Sequence, residues 1–246
     1  MLGAADLHLH TLASDGLMSA REIVDYAEHA TDLDIIAITD HDETSASLEA
    51  REWAAHNGYR VQVVPGVEVT TRDGHLLALF VEDRPPALRG AQATAEWVRA
   101  RGGVCLAPHA FTRWTHSLNR RALARAIADH LIAGVEVLNA SLAGRGSRPR
   151  ALLLAREHGL AEIGSSDAHT LAVVGLARTR FAGSTPEDLR RAIEASATRA
   201  EGRFATPAEM VAEAIPQLAR SMLHLPLRRI VRFARSRRVT QQARTG

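Results

Sequence analysis

The stretch Asp34-Ile35-Ile36-Ala37-Ile38-Thr39-Asp40-His41-Asp42 decides the fold class. Its apolar centre is unbroken and of strand length, as expected of a parallel strand buried on both faces. It runs directly into three ionisable residues. The same layout recurs to either side. In front of it, Asp6-Leu7-His8-Leu9-His10-Thr11 reads as a strand. Ser19 is an N-cap candidate, with Glu22 completing a capping box. The helix that follows runs to about Ala30, with Ile23, Tyr26 and Ala27 on one face. Behind the stretch, a helix spans Thr44 to His56 and stops at Asn57-Gly58. Val61–Val64 is a third strand, interrupted by Pro65-Gly66 before Val67-Glu68-Val69-Thr70 continues. Arg72-Asp73-Gly74 turns the chain into a hairpin strand, His75–Val81.

Past Pro85-Pro86 the alternation goes on. Helices are expected over Ala91–Ala100, Asn119–His130, Arg148–His158 and Pro186–Ala195, and strands over Val104–Ala107, Gly134–Leu138 and Ala161–Gly164. Strand, loop and helix in repeated order mean an α/β chain with crossover helices on a parallel sheet. At 246 residues the candidates are a (β/α) barrel and an open doubly wound sheet. No G-x-G-x-x-G follows the first strand, so a dinucleotide fingerprint is absent.

Composition narrows the chemistry. The single cysteine, Cys105, excludes an internal disulfide and a thiolate zinc cluster, so any metal must be held by His, Asp and Glu. Every one of the 30 basic residues is Arg, which excludes Schiff-base chemistry and a P-loop lysine. The start lacks the charged and apolar regions of a signal peptide, and no run approaches the roughly 20 apolar residues of a membrane span. A cytoplasmic location is the expectation. The net charge is +2, yet residues 217–246 hold eight Arg and no acid, which leaves −6 on the rest. The basicity therefore belongs to the tail.

The histidines and carboxylates gather where strands end. His8 and His10, two apart on a strand, project to one face, with Leu7 and Leu9 expected behind them. Asp167 and His169 repeat that spacing on the last strand. Asp15, His41, Glu68 and His109 sit at other strand ends, and His75 opens the hairpin. In a barrel such ends supply the catalytic residues. Six histidines and three carboxylates exceed one ion's needs, so two or three divalent ions are expected, with a carboxylate bridging. Mixed imidazole and carboxylate ligation suits Mn, Fe or Zn, and clustered ions suit phosphoryl transfer.

At these residues the chain resembles the PHP (polymerase and histidinol phosphatase) family of metal-dependent phosphoesterases. The matching pieces are Asp6–Thr11, Ser14-Asp15-Gly16, Thr39–Asp42, Gly66–Val69, His75-Leu76-Leu77, Pro108-His109 and Ser166–His169. The resemblance implies a distorted (β/α)7 TIM-like barrel with a trinuclear site at its mouth. The implied ligands are His8, His10, Asp15, His41, Glu68, His75, His109, Asp167 and His169, with Glu68 bridging. The implied activity is hydrolysis of a phosphate ester (a small phosphomonoester, nucleotide or oligonucleotide phosphate) by a metal-bound hydroxide. The long insertion of some nucleotide-hydrolysing relatives is missing here. Two other readings stay open: an amidohydrolase-like enzyme, and a non-catalytic PHP scaffold or nucleic-acid accessory.

Asp40 or Asp42 is expected either to hold a ligating imidazole or to cap the next helix. Arg113, four residues past His109, is the first candidate for binding phosphate, and family members of similar loop pattern place such an Arg there. Arg145 and Arg148, in a loop around Gly146, are further candidates. His116 is a candidate proton donor to the leaving group. His29, His56, His130 and His158 read as structural, and Cys105 as a buried small residue. The chain divides into a phosphoesterase domain over 1–205 and a basic tail over 206–246. In that tail Leu227, Ile230, Val231 and Ala234 alternate with arginines as a basic amphipathic helix. Packing on the barrel is its expected use; contact with nucleic acid or an anionic membrane surface are the others.

Overall fold

Hydrophobic runs between capped helices build one nearly closed sheet. The structure, a computed structural model, describes residues 1–86, 88–112, 115–212 and 215. The strands are β1 (Leu2–Leu9), β2 (Ile35–Ile38), β3 (Gln62–Thr71), β4 (Gly74–Leu79), β5 (Val104–Ala107), β6 (Gly134–Asn139), β7 (Ala161–Ser165), β8 (Ala177–Ala182) and β9 (Arg199–Gly202). The helices are α1 (Ala20–Ala30), α2 (Ser45–Asn57), α3 (Ala91–Arg99), α4 (Arg120–Ala128), α5 (Leu142–Arg145), α6 (Arg148–His158) and α7 (Pro186–Glu194). Ser19 and Glu22 form the expected capping box on α1, and left-handed Gly58 and Gly159 end α2 and α6.

The strand order is β7-β6-β5-β4-β3-β2-β1-β8-β9. Two contacts bring the ends round into a distorted TIM-like barrel. At the mouth, Leu9 bridges to Ala168, just past β7. Further down, the Thr179 hydroxyl on β8 accepts from Gly164 N–H at 3.1 Å and donates to the Gly164 carbonyl at 2.8 Å. A Cβ on Gly164 would lie 2.3 Å from the Arg178 carbonyl oxygen, so only glycine lets β8 pass so close.

Three expectations need correction. Pro65-Gly66 does not interrupt the third strand. Instead β3 changes neighbour there: residues 62–65 run parallel to β2, and 66–71 run antiparallel to β4. A proline with no N–H to donate is tolerated at such a change of partner. Strands β8 and β9 were unexpected and run antiparallel, β8 against β1. Its alternation of buried Ala177, Thr179 and Phe181 with Arg178 and Arg180 is the period-two signal of a strand. Lastly, Leu7 does not lie behind the histidines with Leu9. The β1–β2 register slips between Asp6 and Leu9, which is a bulge. Leu9 packs outward against α1 and α2, whereas Leu7 joins the barrel's inner cluster.

That inner cluster includes Leu7, Ile35, Val64, Leu77, Leu106, Ile163 and Phe181, closed from below by Leu189 and Ile193 of α7. It forms an apolar floor. Above it the same strands carry ionisable side chains.

Candidate metal centre

Glu68 occupies the middle of the mouth. Its N–H donates to the Thr39 carbonyl at 3.1 Å, and Asp42 N–H donates to its carbonyl at 2.9 Å, so β3 is locked to the loop after β2. Oε1 of Glu68 lies 2.9 Å from His75 Nδ1 and 3.0 Å from His109 Nε2. Oε2 lies 3.1 Å from His41 Nδ1, 3.3 Å from His8 Nε2 and 3.4 Å from His10 Nε2. Across from it, Asp167 Oδ1 is 3.3 Å from Nε2 of both His8 and His10. Asp15 Oδ2 is 3.3 Å from His169 Nε2, and Oδ1 is 3.4 Å from His10 Nδ1. The nine residues expected to ligate thus form one continuous cluster. Among the described residues, donor atoms of four trios converge to within 4.8 Å: His8, His10 and Glu68; His10, Asp15 and His41; His10, Asp167 and His169; His41, Glu68 and His75.

The donor set fits divalent cations. Nε2 of His8 and His10 and Nδ1 of His41 and His75 face Glu68, are buried, and have no hydrogen-bond partner among the described residues. A buried polar atom left unpaired needs an explanation, and imidazole nitrogens beside carboxylates are metal donors. The charges are mutually dependent. Burial alone would raise the carboxyls of Glu68 and Asp167, but the imidazoles around them hold both well below the usual carboxylate range. Burial alone would lower His8, but Asp167, Glu136 and Glu68 hold it well above an ordinary histidine. His75 is held up by Glu68 against its burial, while at His41 burial prevails and lowers it.

Behind the cluster stand three buried acids that brace it. Asp40 accepts from Thr11 N–H at 2.7 Å, from the Thr11 hydroxyl and from the Ser14 hydroxyl, fixing the loop that carries Asp15. Gly16 in that loop is obligatory, since a Cβ there would lie 2.3 Å from the His10 carbonyl oxygen. Asp6 accepts Ser166 N–H at 2.9 Å and Gly175 N–H at 2.8 Å, tying the loop of Asp167 and His169 to β1. Burial pushes the Asp6 carboxyl up to about 6, even with these hydrogen bonds. Glu136 on β6 lies 2.8 Å from His8 Nδ1. Sequence reasoning missed it. Its signal is a repeat: Gly134-Val135-Glu136-Val137 duplicates Gly66-Val67-Glu68-Val69. His109 and Asp167 also hold φ of 32° and 56°, in the left-handed region that non-glycine residues rarely adopt.

The remaining candidates are dispersed. Asp42 accepts Thr70 N–H at 2.9 Å, and Glu43 rather than Asp40 or Asp42 accepts from the first N–H groups of α2. The exposed His116 ring lies 5.5 Å from that of His75. Arg145 and Arg148 are on helices rather than in a loop: Arg145 ends α5, its guanidinium over the Phe204 ring, and Arg148 opens α6. Neither has an ion-pair partner among the described residues. Arg113 and the tail helix around Leu227–Arg235 lie outside the described residues. Cys105 is buried, and burial pushes its thiol up to about 12. No helix among the described residues is long and apolar enough to cross a membrane.

The PHP domain profile matches residues 6–158, which contain seven of the nine clustered residues, and a PHP-associated profile matches residues 146–198. The chain belongs to the PHP domain family. An uncharacterized protein of Methanocaldococcus jannaschii is 31% identical over 147 residues, 55% of this chain and 81% of that protein. The 5′-3′ exoribonuclease Rnm of Salmonella typhimurium is 40% identical over 103 residues, 39% of this chain but only 34% of its own. The 3′,5′-nucleoside bisphosphate phosphatase of Chromobacterium violaceum is 37% identical over 87 residues, 34% of this chain and 30% of its own. The chain therefore spans about a third of the length of these two enzymes. The fold itself recurs in a two-domain protein of Bacteroides vulgatus containing a predicted PHP-like metal-dependent phosphoesterase, with a TM-score of 0.70 at 21% identity over 82% of this chain and 65% of that one.

Proposed function

We propose that this PHP chain removes a terminal phosphate from, or cleaves a terminal phosphodiester of, a nucleotide or short oligonucleotide. The observation that carries the proposal is the cluster of partnerless buried imidazole nitrogens around Glu68. Support for a nucleotide substrate comes from the ribonuclease and the bisphosphate phosphatase among its relatives. The nine clustered residues would hold two or three divalent ions of the Mn, Fe or Zn type, with Glu68 between them. Bound there, such ions polarise phosphoryl oxygens and acidify water.

The chain's own residues do the rest. The carboxylates of Glu68, Asp15 and Asp167 would balance the charge of such ions. The guanidiniums of Arg145, over the Phe204 ring, and of Arg148, both on the helices after β6, are suited to the phosphate's outer oxygens; Arg113 is a third candidate by its sequence position. His116, exposed beside His75, is suited to hand a proton to the departing oxygen.

The test is phosphate or nucleotide release by the Mn²⁺-loaded protein from p-nitrophenyl phosphate, a 3′,5′-nucleoside bisphosphate and a 5′-phosphorylated oligoribonucleotide. Turnover of one of the two nucleotide substrates is expected. Metal-loaded protein that turns over none of the three would sink the proposal.

A further inference from the structure

Glu136 is a fully buried carboxylate that the reaction does not consume, and its surroundings are unusually directed. Oε1 lies 2.8 Å from His8 Nδ1 and also accepts the Ser165 hydroxyl. Oε2 accepts the backbone N–H of His109 and, at 3.0 Å, one N–H of the Asn139 side-chain amide. The same Asn139 nitrogen donates to Asp167 Oδ2 at 3.1 Å. One carboxylate thus touches His8 on β1, His109 after β5 and Ser165 on β7, and through the Asn139 amide it is linked to Asp167 after β7. The β6–β7 register slips just past Glu136, and the β1–β2 register slips around His8. Each partner of this pair therefore sits at a bulge, a device that re-aims side chains.

We infer that Glu136, assisted by Asn139, is a positioning residue that dictates which nitrogen His8 offers to the metal. An ionised carboxylate only accepts hydrogen bonds, so His8 must carry a proton on Nδ1. That leaves Nε2 as the nitrogen that would give up its proton to a metal, and Nε2 is the buried atom, partnerless among the described residues, that lies 3.3 Å from both Glu68 Oε2 and Asp167 Oδ1. The hydrogen bond to His109 N–H holds that residue's left-handed backbone in place, and the Asn139 amide aims Asp167. Glu136 touches no substrate in this scheme. Its effect reaches the reaction through three ligands at once, and it rests on the metal-dependent reading above.

The test compares Glu136→Gln and Glu136→Ala with the parent protein, all loaded with Zn²⁺ so that histidine nitrogens can be followed by NMR. The parent should show a slowly exchanging Nδ1–H on His8 with Nε2 ligated. Glu136→Ala should lose that protected proton and weaken Zn²⁺ binding roughly 10- to 100-fold, the usual cost of removing such a support. Glu136→Gln keeps the volume and still offers one oxygen to His8, but presents N–H to the His109 and Asn139 donors. It should keep the Nδ1–H signal and lose affinity by an intermediate factor, and it serves as the folded variant should Ala fail to fold. Unchanged affinity in both variants would overturn the inference. So would loss of a whole ion equivalent with the His8 signal intact, since Glu136 would then be a ligand itself. These readouts need no substrate, so a parent that binds Zn²⁺ in this way yet hydrolyses no phosphate ester would defeat the proposed function alone.

Discussion

At the floor of the barrel Leu7, Ile35, Phe181, Leu189 and Ile193 are buried together. At the mouth His8, His10, Glu68 and Glu136 are just as buried, and all are of ionisable type. Burial therefore does opposite things at the two ends of the same strands. Each large side chain in the floor stabilises the fold by roughly 1.5–3 kcal/mol. Each ionisable group at the mouth is costly to bury, and is tolerated because carboxylates and imidazoles offset one another. The floor supplies the stability that lets the mouth hold charges in one geometry. Asp6, Asp40 and Glu136 extend that investment one layer back, where they orient loops rather than meet substrate.

Three measurements break or sharpen this contrast. The largest effect is expected at the mouth: His10→Ala or Asp167→Ala should lower phosphate release by roughly 10³-fold or more, since a metal contributes several kcal/mol at the transition state. Their melting temperatures in chelator should fall by less than that of Phe181→Ala, because the groups left behind keep other partners: His8 retains Glu68 and Glu136, and Glu68 retains His8, His41, His75 and His109. The next is at the floor: Phe181→Ala should cost about 3–5 kcal/mol in urea unfolding, with unchanged metal content per folded chain. If the mouth variants lose as much stability as Phe181→Ala, the two ends are not distinct.

The smallest effect is in pH. In chelator, Glu68 and Asp167 have pKa values below their unfolded values of 4.5 and 3.8, so the stability they contribute is lost as pH falls through the acid range. His8 and His75 have pKa values above 6.5, so their contribution is present below that pH and is lost as it rises. His41, lowered, opposes them. A melting temperature highest between about pH 4.5 and 6.5 is expected from differential scanning fluorimetry of the metal-free protein. Phe181→Ala should lower that curve without moving its maximum; a flat curve would count against a site held by paired charges.

Much of the centre was legible in one dimension. His8 and His10, and Asp167 and His169, announce themselves by i, i+2 spacing beside apolar strand residues, and Ile35–Ile38 announces a buried parallel strand. The braces were harder to see. Glu136 sits alone among valines and could have been an edge residue; only the Gly-Val-Glu-Val duplication hinted at a second inward carboxylate. Pro65-Gly66 marked a break but not the exchange of partners there, and the bulge between Asp6 and Leu9 left no trace in the pattern, because register depends on what lies across the sheet.

Residue types, their order along the strands and the absence of any thiolate cluster were already set in one dimension, since a single cysteine cannot build one. Only the tertiary structure decided which nitrogen each histidine presents and which acids face the cluster. Those properties come from bulges, left-handed residues and hydrogen bonds between segments as far apart as His8 and Glu136, 128 positions along the chain. Local propensity acts over a few residues, and contacts of that span exist only once the barrel has closed.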